Sequence, residues 1–440
     1  MKIHLLQATR KTFCRSNKDT NGSYGTLNDF GNSLTSRLLT LYKKMAMNFP
    51  ELSPAYASAI LGAQGHEVTY GENEENPAAD ITLLQSSLVH FNEEIRWAKY
   101  LKAQYPAMRV GFFNGVSDVL FDEILKAADF VISGEVESAL MTGDITEFDG
   151  RVFGGMIQDL DSLAFPDWSH AKRQRYALTG AQRNTRLAPM LASRGCPMSC
   201  SYYCTYPLVQ GKPQRKRSID NIVAEMATLR HQYGVNLILF RDPIFTLDMK
   251  RTKALCHAIL EANLNVKFII ETHCKFIDEE MVELLARSGC AAIQFGIESG
   301  NLEVMALSKR KVGHLDSQKD VIALCEKYKI KVFALFMLAY FDDTEETIHQ
   351  TIEYAKSLNP YGAQFTVATP YPGTPWYEEL KRENHRFQLS ENYDDYTQYQ
   401  LVYQHPHLTA EAVTRLKNKA YRDFYYRPTY IKKHHLQMGG

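Results

Sequence analysis

The sequence has no surplus of either charge: 50 lysines and arginines face 50 aspartates and glutamates, for a formal net charge of +0 over 440 residues. No overall field draws the chain to nucleic acid or to an anionic membrane, so neither partner is expected. Long apolar runs are also missing. The longest, such as 332–339, fall well short of the roughly 20 residues that a membrane span needs. The opening MKIHLLQATRKTF holds only a short apolar run before polar and basic residues, and reads as a first strand rather than a signal peptide. A cytoplasmic protein is expected. A disulfide framework is absent too. Of the eight cysteines, three (Cys196, Cys200 and Cys204) crowd into nine positions, which points to metal chemistry in a reducing compartment. The scattered five, Cys14, Cys256, Cys274, Cys290 and Cys325, read as ordinary small apolar residues.

What is present is an alternation of strand and helix signals, long enough for two folded units and an appendage. Apolar runs at 3–7, 81–85, 110–113 and 130–132 alternate with helical patterns at 55–65 and 93–104. This predicts a doubly wound, Rossmann-like α/β domain over residues 1–165. A linker rich in Arg, Lys and Gln follows at 166–185. Strand candidates then recur at 187–193, 237–240, 266–270, 292–295, 332–338 and 364–368, with helical patterns between them. Six such units predict a partial (β/α)6, TIM-like barrel over 186–382, whose functional residues follow the strands. Residues 383–440 read as a mainly helical extension with a helix at 409–425 and a basic, solvated end at 430–435.

The first barrel strand runs into Ser193-Arg194-Gly195-Cys196-Pro197-Met198-Ser199-Cys200-Ser201-Tyr202-Tyr203-Cys204. Three thiolates can hold three irons of a cubane cluster and leave the fourth iron open. Gly195 and Pro197 disfavour a regular helix, so the thiols can converge from a loop. A zinc site would want a fourth ligand, which no nearby His or Cys supplies. A redox disulfide would prefer cysteines two residues apart.

With its downstream motifs, this run resembles the radical S-adenosylmethionine (radical SAM) superfamily. The matching pieces are residues 193–207, Phe240-Arg241-Asp242-Pro243, Phe295-Gly296-Ile297-Glu298-Ser299-Gly300 and Thr369-Pro370-Tyr371-Pro372-Gly373-Thr374-Pro375, each after a strand. The resemblance implies a [4Fe-4S] cluster on Cys196, Cys200 and Cys204, and S-adenosylmethionine cleaved to a 5′-deoxyadenosyl radical. It further implies a reducing electron donor such as flavodoxin or ferredoxin. The cofactor carries the difficult chemistry, and the protein orients it and excludes water. Tyr203 is expected beside the adenine, with Asp242, Glu271, Thr272, Gln294 and Glu298 as candidates to bond the amino group, ribose or substrate. The superfamily spaces its cysteines by three residues and then two. Here both gaps hold three, which brings Tyr202 into competition with Tyr203.

The first domain resembles the cobalamin-binding domains that precede one branch of the superfamily. The matching positions are Ser53-Pro54-Ala55-Tyr56, Gly65-His66-Glu67-Val68, Ser86 and Ser87, Gly115, and Val131-Ile132-Ser133-Gly134-Glu135-Val136-Glu137. Ser86, Ser87, Gly115, Gly134 and Glu135 are the cofactor-binding candidates, because ligands of open α/β sheets sit at the strand ends. The Asp-x-His-x-x-Gly that supplies an axial histidine elsewhere is absent, and His66 and His90 lie in the wrong context. The tail, 408–411 and 420–425, looks like that of members acting on small molecules. The expectation is a cobalamin-dependent radical methyltransferase of a small-molecule metabolite. A radical cyclase, rearrangement or oxidation enzyme is the first alternative, and a non-catalytic cobalamin or cluster sensor the second.

Overall fold

The computed structural model describes residues 1–10, 14, 16–31, 33–46, 50–75, 77–170, 185–307, 315–340 and 342–434. The chain starts with β1 (Lys2–Gln7), a small antiparallel hairpin of β2 (Ser16–Asn17) and β3 (Thr26–Leu27), and the helices Leu34–Ala46 and Leu52–Ala63. Then come β4 (Glu67–Glu72), β5 (Ile81–Gln85), β6 (Arg109–Phe113), β7 (Phe130–Gly134) and β8 (Gly150–Gly154). Apart from the hairpin these form one parallel sheet in the order β4-β1-β5-β6-β7-β8. Its central strands are buried along their length, as befits a parallel sheet covered on both faces. On one face Leu6, Leu84, Phe112 and Val131 pack against Trp97, Leu101 and Ile124. On the other, Leu5, Leu83 and Ile132 pack against Ile60, Leu61 and Leu140. The sheet is doubly wound, and its order reverses between β1 and β5, the crevice where such sheets take ligands.

The second sheet comprises β9 (Leu187–Met190), β12 (Leu237–Phe240), β13 (Lys267–Thr272), β14 (Cys290–Glu298), β15 (Lys331–Leu338) and β16 (Gly362–Val367). They pair in parallel in sequence order, a partial barrel of six strands. The antiparallel ribbon β10 (Ser193–Arg194) and β11 (Arg215–Lys216) stands after β9. The covering helices are punctuated by residue type. Ser218, Asp248, Asp278 and Thr344 cap the N-termini through their side chains, and Gly234, Asn263, Gly289 and Asn359 end the helices in the left-handed conformation. Phe240, Phe268, Phe295, Phe336 and Phe365, one from each of β12 to β16, are fully buried in the core shared with those helices. Strand side chains alternate between faces. That leaves Glu271, Gln294, Met337, Gln364 and Thr366 around the barrel's cavity.

The α/β reading of both sheets agrees with the structure. Residues 171–184 of the expected linker lie outside the described residues. The hairpin and the helix Leu34–Ala46 were not anticipated. The basic end also differs from the solvated tail expected for 430–435: Tyr430 is buried and its hydroxyl donates to the Tyr361 carbonyl at 2.7 Å, while residue 435 lies outside the described residues. Among the described residues no helix is long and apolar enough to cross a membrane.

The helix Ala410–Tyr425 packs on β16, the edge of the barrel sheet. The Tyr421 hydroxyl accepts from the Phe365 N–H at 3.0 Å and donates to its carbonyl at 2.9 Å. Tyr425 does the same at Ala363, at 3.0 and 2.7 Å. These hydroxyls stand where a seventh strand would pair. Tyr421→Phe should strand two buried backbone groups and cost about 1–3 kcal/mol, seen as a lower urea midpoint at unchanged slope. An unshifted midpoint would show the hydroxyl to be dispensable.

Candidate active site

The loop after β9 is shaped by one obligatory glycine. Gly195 has φ +94°, and a Cβ there would stand 2.0 Å from the Pro213 carbonyl oxygen. The Cys196 N–H is anchored to the Gly211 carbonyl at 3.0 Å. Residues Ser199–Tyr202 form a short helical turn, and the Cys204 N–H bonds the Cys200 carbonyl at 3.0 Å. The Cys200 and Cys204 side chains hydrogen-bond to each other, so the loop still brings the two thiols together across its three-residue gap.

All three cysteines line a cavity of about 120 Å³ with Pro243, Glu271 and Glu298. The Cys204 thiol is pushed well up by its hydrogen bond with Cys200, by burial, and by the proximity of Cys200 and Cys196. Thiols gathered in this way ionise only when a cation joins them. Among the described residues no three His, Cys, Asp or Glu side chains are set to hold a single ion. A cubane takes one thiolate per iron, and the three cysteines that line this one cavity are the donor set it would need.

The expected cofactor residues separate into two groups. Tyr203 lines the cysteine cavity, with its ring edge-to-face on Tyr340 at 5.7 Å, whereas the Tyr202 hydroxyl turns away to Glu379 at 2.7 Å. Glu271 and Glu298 line both this cavity and a larger one of about 260 Å³, which Gln294 also lines. Burial and nearby Glu298 push the Glu271 carboxyl up, opposed by Arg241. Glu298 ends β14 with φ +68°, beyond a register shift at Gly296, a strained placement of the kind found at functional sites. Asp242 has a different task from the one expected. Fully buried, it accepts from the Ala192 N–H at 2.9 Å and the Ser193 hydroxyl at 2.6 Å, and so clamps the start of the cysteine loop.

Glu135 is also corrected. It accepts both Arg215 Nη groups at 2.7 and 3.0 Å, while Arg194, beside the cysteine loop, forks onto Glu137 at 2.7 and 3.3 Å. Arg194 further approaches Glu135 at 3.4 Å. All four side chains are buried. Burial opposes ionisation of Glu135, but Arg215, Arg194 and the Ile157 N–H outweigh it and hold the carboxyl below its usual range.

The remaining candidates meet the chain's own backbone. Ser86 Oγ contacts the Asn114 carbonyl and Ser117 Oγ, and Ser87 donates twice to Glu94. A Cβ on Gly115 would lie 2.3 Å from the Ser86 oxygen and 2.5 Å from that of Ser23. One on Gly134 would lie 2.0 Å from the Gly154 oxygen. Residues 16–27, which the sequence reading missed, run across this crevice. The Lys18 ammonium, fully buried, pairs with Glu94 at 2.7 Å and bonds the Gln85 carbonyl at 2.8 Å. Asp19 accepts from Gln85 and Ser53 at 2.6 and 2.9 Å, and Tyr24 donates to the Pro372 carbonyl at 2.7 Å. The cavity that Gly134 and Glu135 do line measures about 60 Å³. Drug-sized ligands occupy ~300–1,000 Å³, so a corrin is not admitted while residues 16–27 lie there.

Residues 190–355 match the family model of the radical SAM superfamily. The chain carries a radical SAM domain. It is 30% identical over 278 residues to an uncharacterized methyltransferase of Pyrococcus horikoshii, covering 63% of this chain and 59% of that protein. The bacteriochlorophyllide d C-12(1)-methyltransferase of Chlorobaculum tepidum is 26% identical over 361 residues, 80% of this chain and 76% of its own. In fold the chain is similar to the radical S-adenosylmethionine methyltransferase TsrM of Kitasatospora setae, solved with cobalamin and a [4Fe-4S] cluster. The TM-score is 0.64 at 15% identity, over 87% of this chain and 78% of that one. The chain spans about three fifths of the Pyrococcus relative's length.

Two outcomes test the ionic network. Glu137→Ala removes both hydrogen bonds of the buried Arg194 cation and leaves it only the 3.4 Å approach to Glu135, and should cost about 3–5 kcal/mol, with a lower melting temperature and less iron retained. Glu137→Leu combined with Arg194→Met should recover most of that loss. Because folding depresses the Glu135 pKa, its contribution is full above the unfolded carboxyl range near ~4.3 and is lost as pH falls through the lower folded value. Chemical denaturation from pH 6 downward should show stability falling in that window, and Glu135→Gln should flatten the fall.

Proposed function

We propose that this chain is a radical SAM C-methyltransferase acting on a small-molecule metabolite, with a [4Fe-4S] cluster on Cys196, Cys200 and Cys204. The observation that carries this reading is the convergence of three thiols and two carboxylates, Glu271 and Glu298, on one cavity at the strand ends of a partial barrel. Bound there, the cluster would supply the electron that cleaves S-adenosylmethionine to a 5′-deoxyadenosyl radical. The chain's own residues position and shield. Glu271 and Glu298 can accept from the ammonium or ribose hydroxyls of S-adenosylmethionine, Tyr203 walls the cavity, and Pro243 and Ile244 keep water from it. The reading divides the chain into a Rossmann-like domain (1–165), linker (166–185), barrel (186–382) and extension (383–440). It places the protein in a reducing cytoplasm with an electron donor such as flavodoxin or ferredoxin.

Cobalamin enters as the methyl carrier through likeness to the solved relative that holds it. Ser86, Ser87, Gly115 and Glu135 are engaged with the chain's own groups, so a corrin is held only when residues 16–27 move aside, and no step is assigned to it. That same closure favours a second reading, radical chemistry without methyl transfer. Anaerobic reconstitution with iron, sulfide and hydroxocobalamin tests both. A four-iron cluster, 5′-deoxyadenosine release that falls to background in Cys196→Ala, and products heavier by one methyl with a second S-adenosylmethionine consumed are expected. The same cluster with unmethylated product would establish the second reading, and a protein without a cluster would overturn both.

A further inference from the structure

The 260 Å³ cavity has two unlike ends. The end it shares with the cysteine cavity carries Glu271 and Glu298; the far end is reached by Lys43, from the helix Leu34–Ala46, and by Gln364 of β16. Lys43 Nζ donates to Gln364 Oε1 at 2.8 Å and stands 5.4 Å from the Phe30 ring centroid. No carboxylate among the described residues pairs with it, and burial alone pushes its ammonium down to about 8. Its side chain is half-buried at the wall of the cavity and brings a positive charge there without a counter-ion. Asn17, Asn21 and Arg241 also line this space and add polar groups to its wall.

We infer that this cavity binds a small polar substrate by an anionic group, a carboxylate or a phosphoryl oxyanion, paired with Lys43. The inference rests on the radical SAM reading for the word substrate, but not for the binding itself. The charges set the direction. The anionic group lies at the Lys43 end, so the rest of the molecule extends toward Glu271, Glu298 and the cysteine loop, where hydrogen abstraction takes place. Lys43 stays in place whatever residues 16–27 do, because its helix packs on Ala410–Tyr425 and Phe30 packs on Tyr399 and Tyr421.

Fluorine NMR titration of the reconstituted full chain tests this, using difluoroacetate, difluoromethylphosphonate and, as cationic control, difluoroethylammonium. Saturable binding of an anion and none of the cation is expected, the tighter anion identifying the substrate's group. Lys43→Met should weaken the anion roughly tenfold to a hundredfold, the worth of one charge-assisted bond, and Lys43→Arg should keep most of the affinity. Gln364→Glu gives Lys43 an internal counter-ion without truncating anything, and should abolish anion binding even if Lys43→Met fails to fold. Anion binding unchanged in Gln364→Glu, or no anion binding by the wild-type chain, overturns the inference. Iron content and S-adenosylmethionine cleavage on the same samples keep the two readings apart. Anion binding without a cluster leaves the cavity's specificity and removes the radical chemistry; a cluster without anion binding does the reverse.

Discussion

Four buried side chains, Glu135, Glu137, Arg194 and Arg215, hold the two sheets in register around the cysteine loop. The carboxylates follow β7 of the first sheet, and the arginines sit on the β10–β11 ribbon that frames the loop. None of them tolerates burial alone, since the desolvation of each ion is offset only by the others. The loop therefore takes its position from the first sheet as much as from the barrel. The Asp242 clamp on Ala192 and Ser193 fixes the loop's entry, and the Gly195 turn against Pro213 fixes its direction. With both ends held, the cysteines have little freedom beyond their side-chain rotations, which is the pre-organisation a multi-ligand centre needs.

Alternation along the barrel strands does the rest. Inner-face positions on β13, β14 and β16 carry Glu271, Gln294, Glu298, Gln364 and Thr366, while a phenylalanine on each strand from β12 to β16 anchors it to the helices. A polar interior surrounded by an aromatic shell is rigid where it meets the helices and hydrogen-bonding where it meets a ligand. The carboxylates gather at one end of the cavity and the ammonium at the other, so a bound molecule meets a gradient of charge rather than a uniform wall.

Much of this was legible in the sequence. The barrel strands were marked by apolar runs with turn residues between them, and the cysteine triplet by its crowding into nine positions after the first of them, though its second gap is one residue longer than the superfamily's. Asp242 and Glu135 were named as cofactor contacts, and the structure shows them bonded to the chain's own groups; a polar residue after a strand can serve a ligand or the fold, and the sequence does not show which partner it finds. Residues 16–27 gave no signal: strands of two residues have no period, and the segment's order comes from contacts such as Lys18 to Glu94 and Tyr24 to Pro372, far away in the chain. Lys43 was missed for the same reason, since a lysine on a helix reads as solvated until tertiary packing sets it, half-buried, at the wall of a cavity.

The tyrosine hydroxyls of the helix Ala410–Tyr425 that close the open side of β16 have a bearing on biosynthesis. A barrel with an uncovered edge invites pairing with a neighbouring chain. The residues that cover this edge are translated after all six strands of the barrel. While the ribosome is still adding them, the barrel has its full set of strands but no seal, and nascent chains on one message stand close together in that state. The interval between completing β16 and releasing Tyr425 is thus when this protein most needs a chaperone.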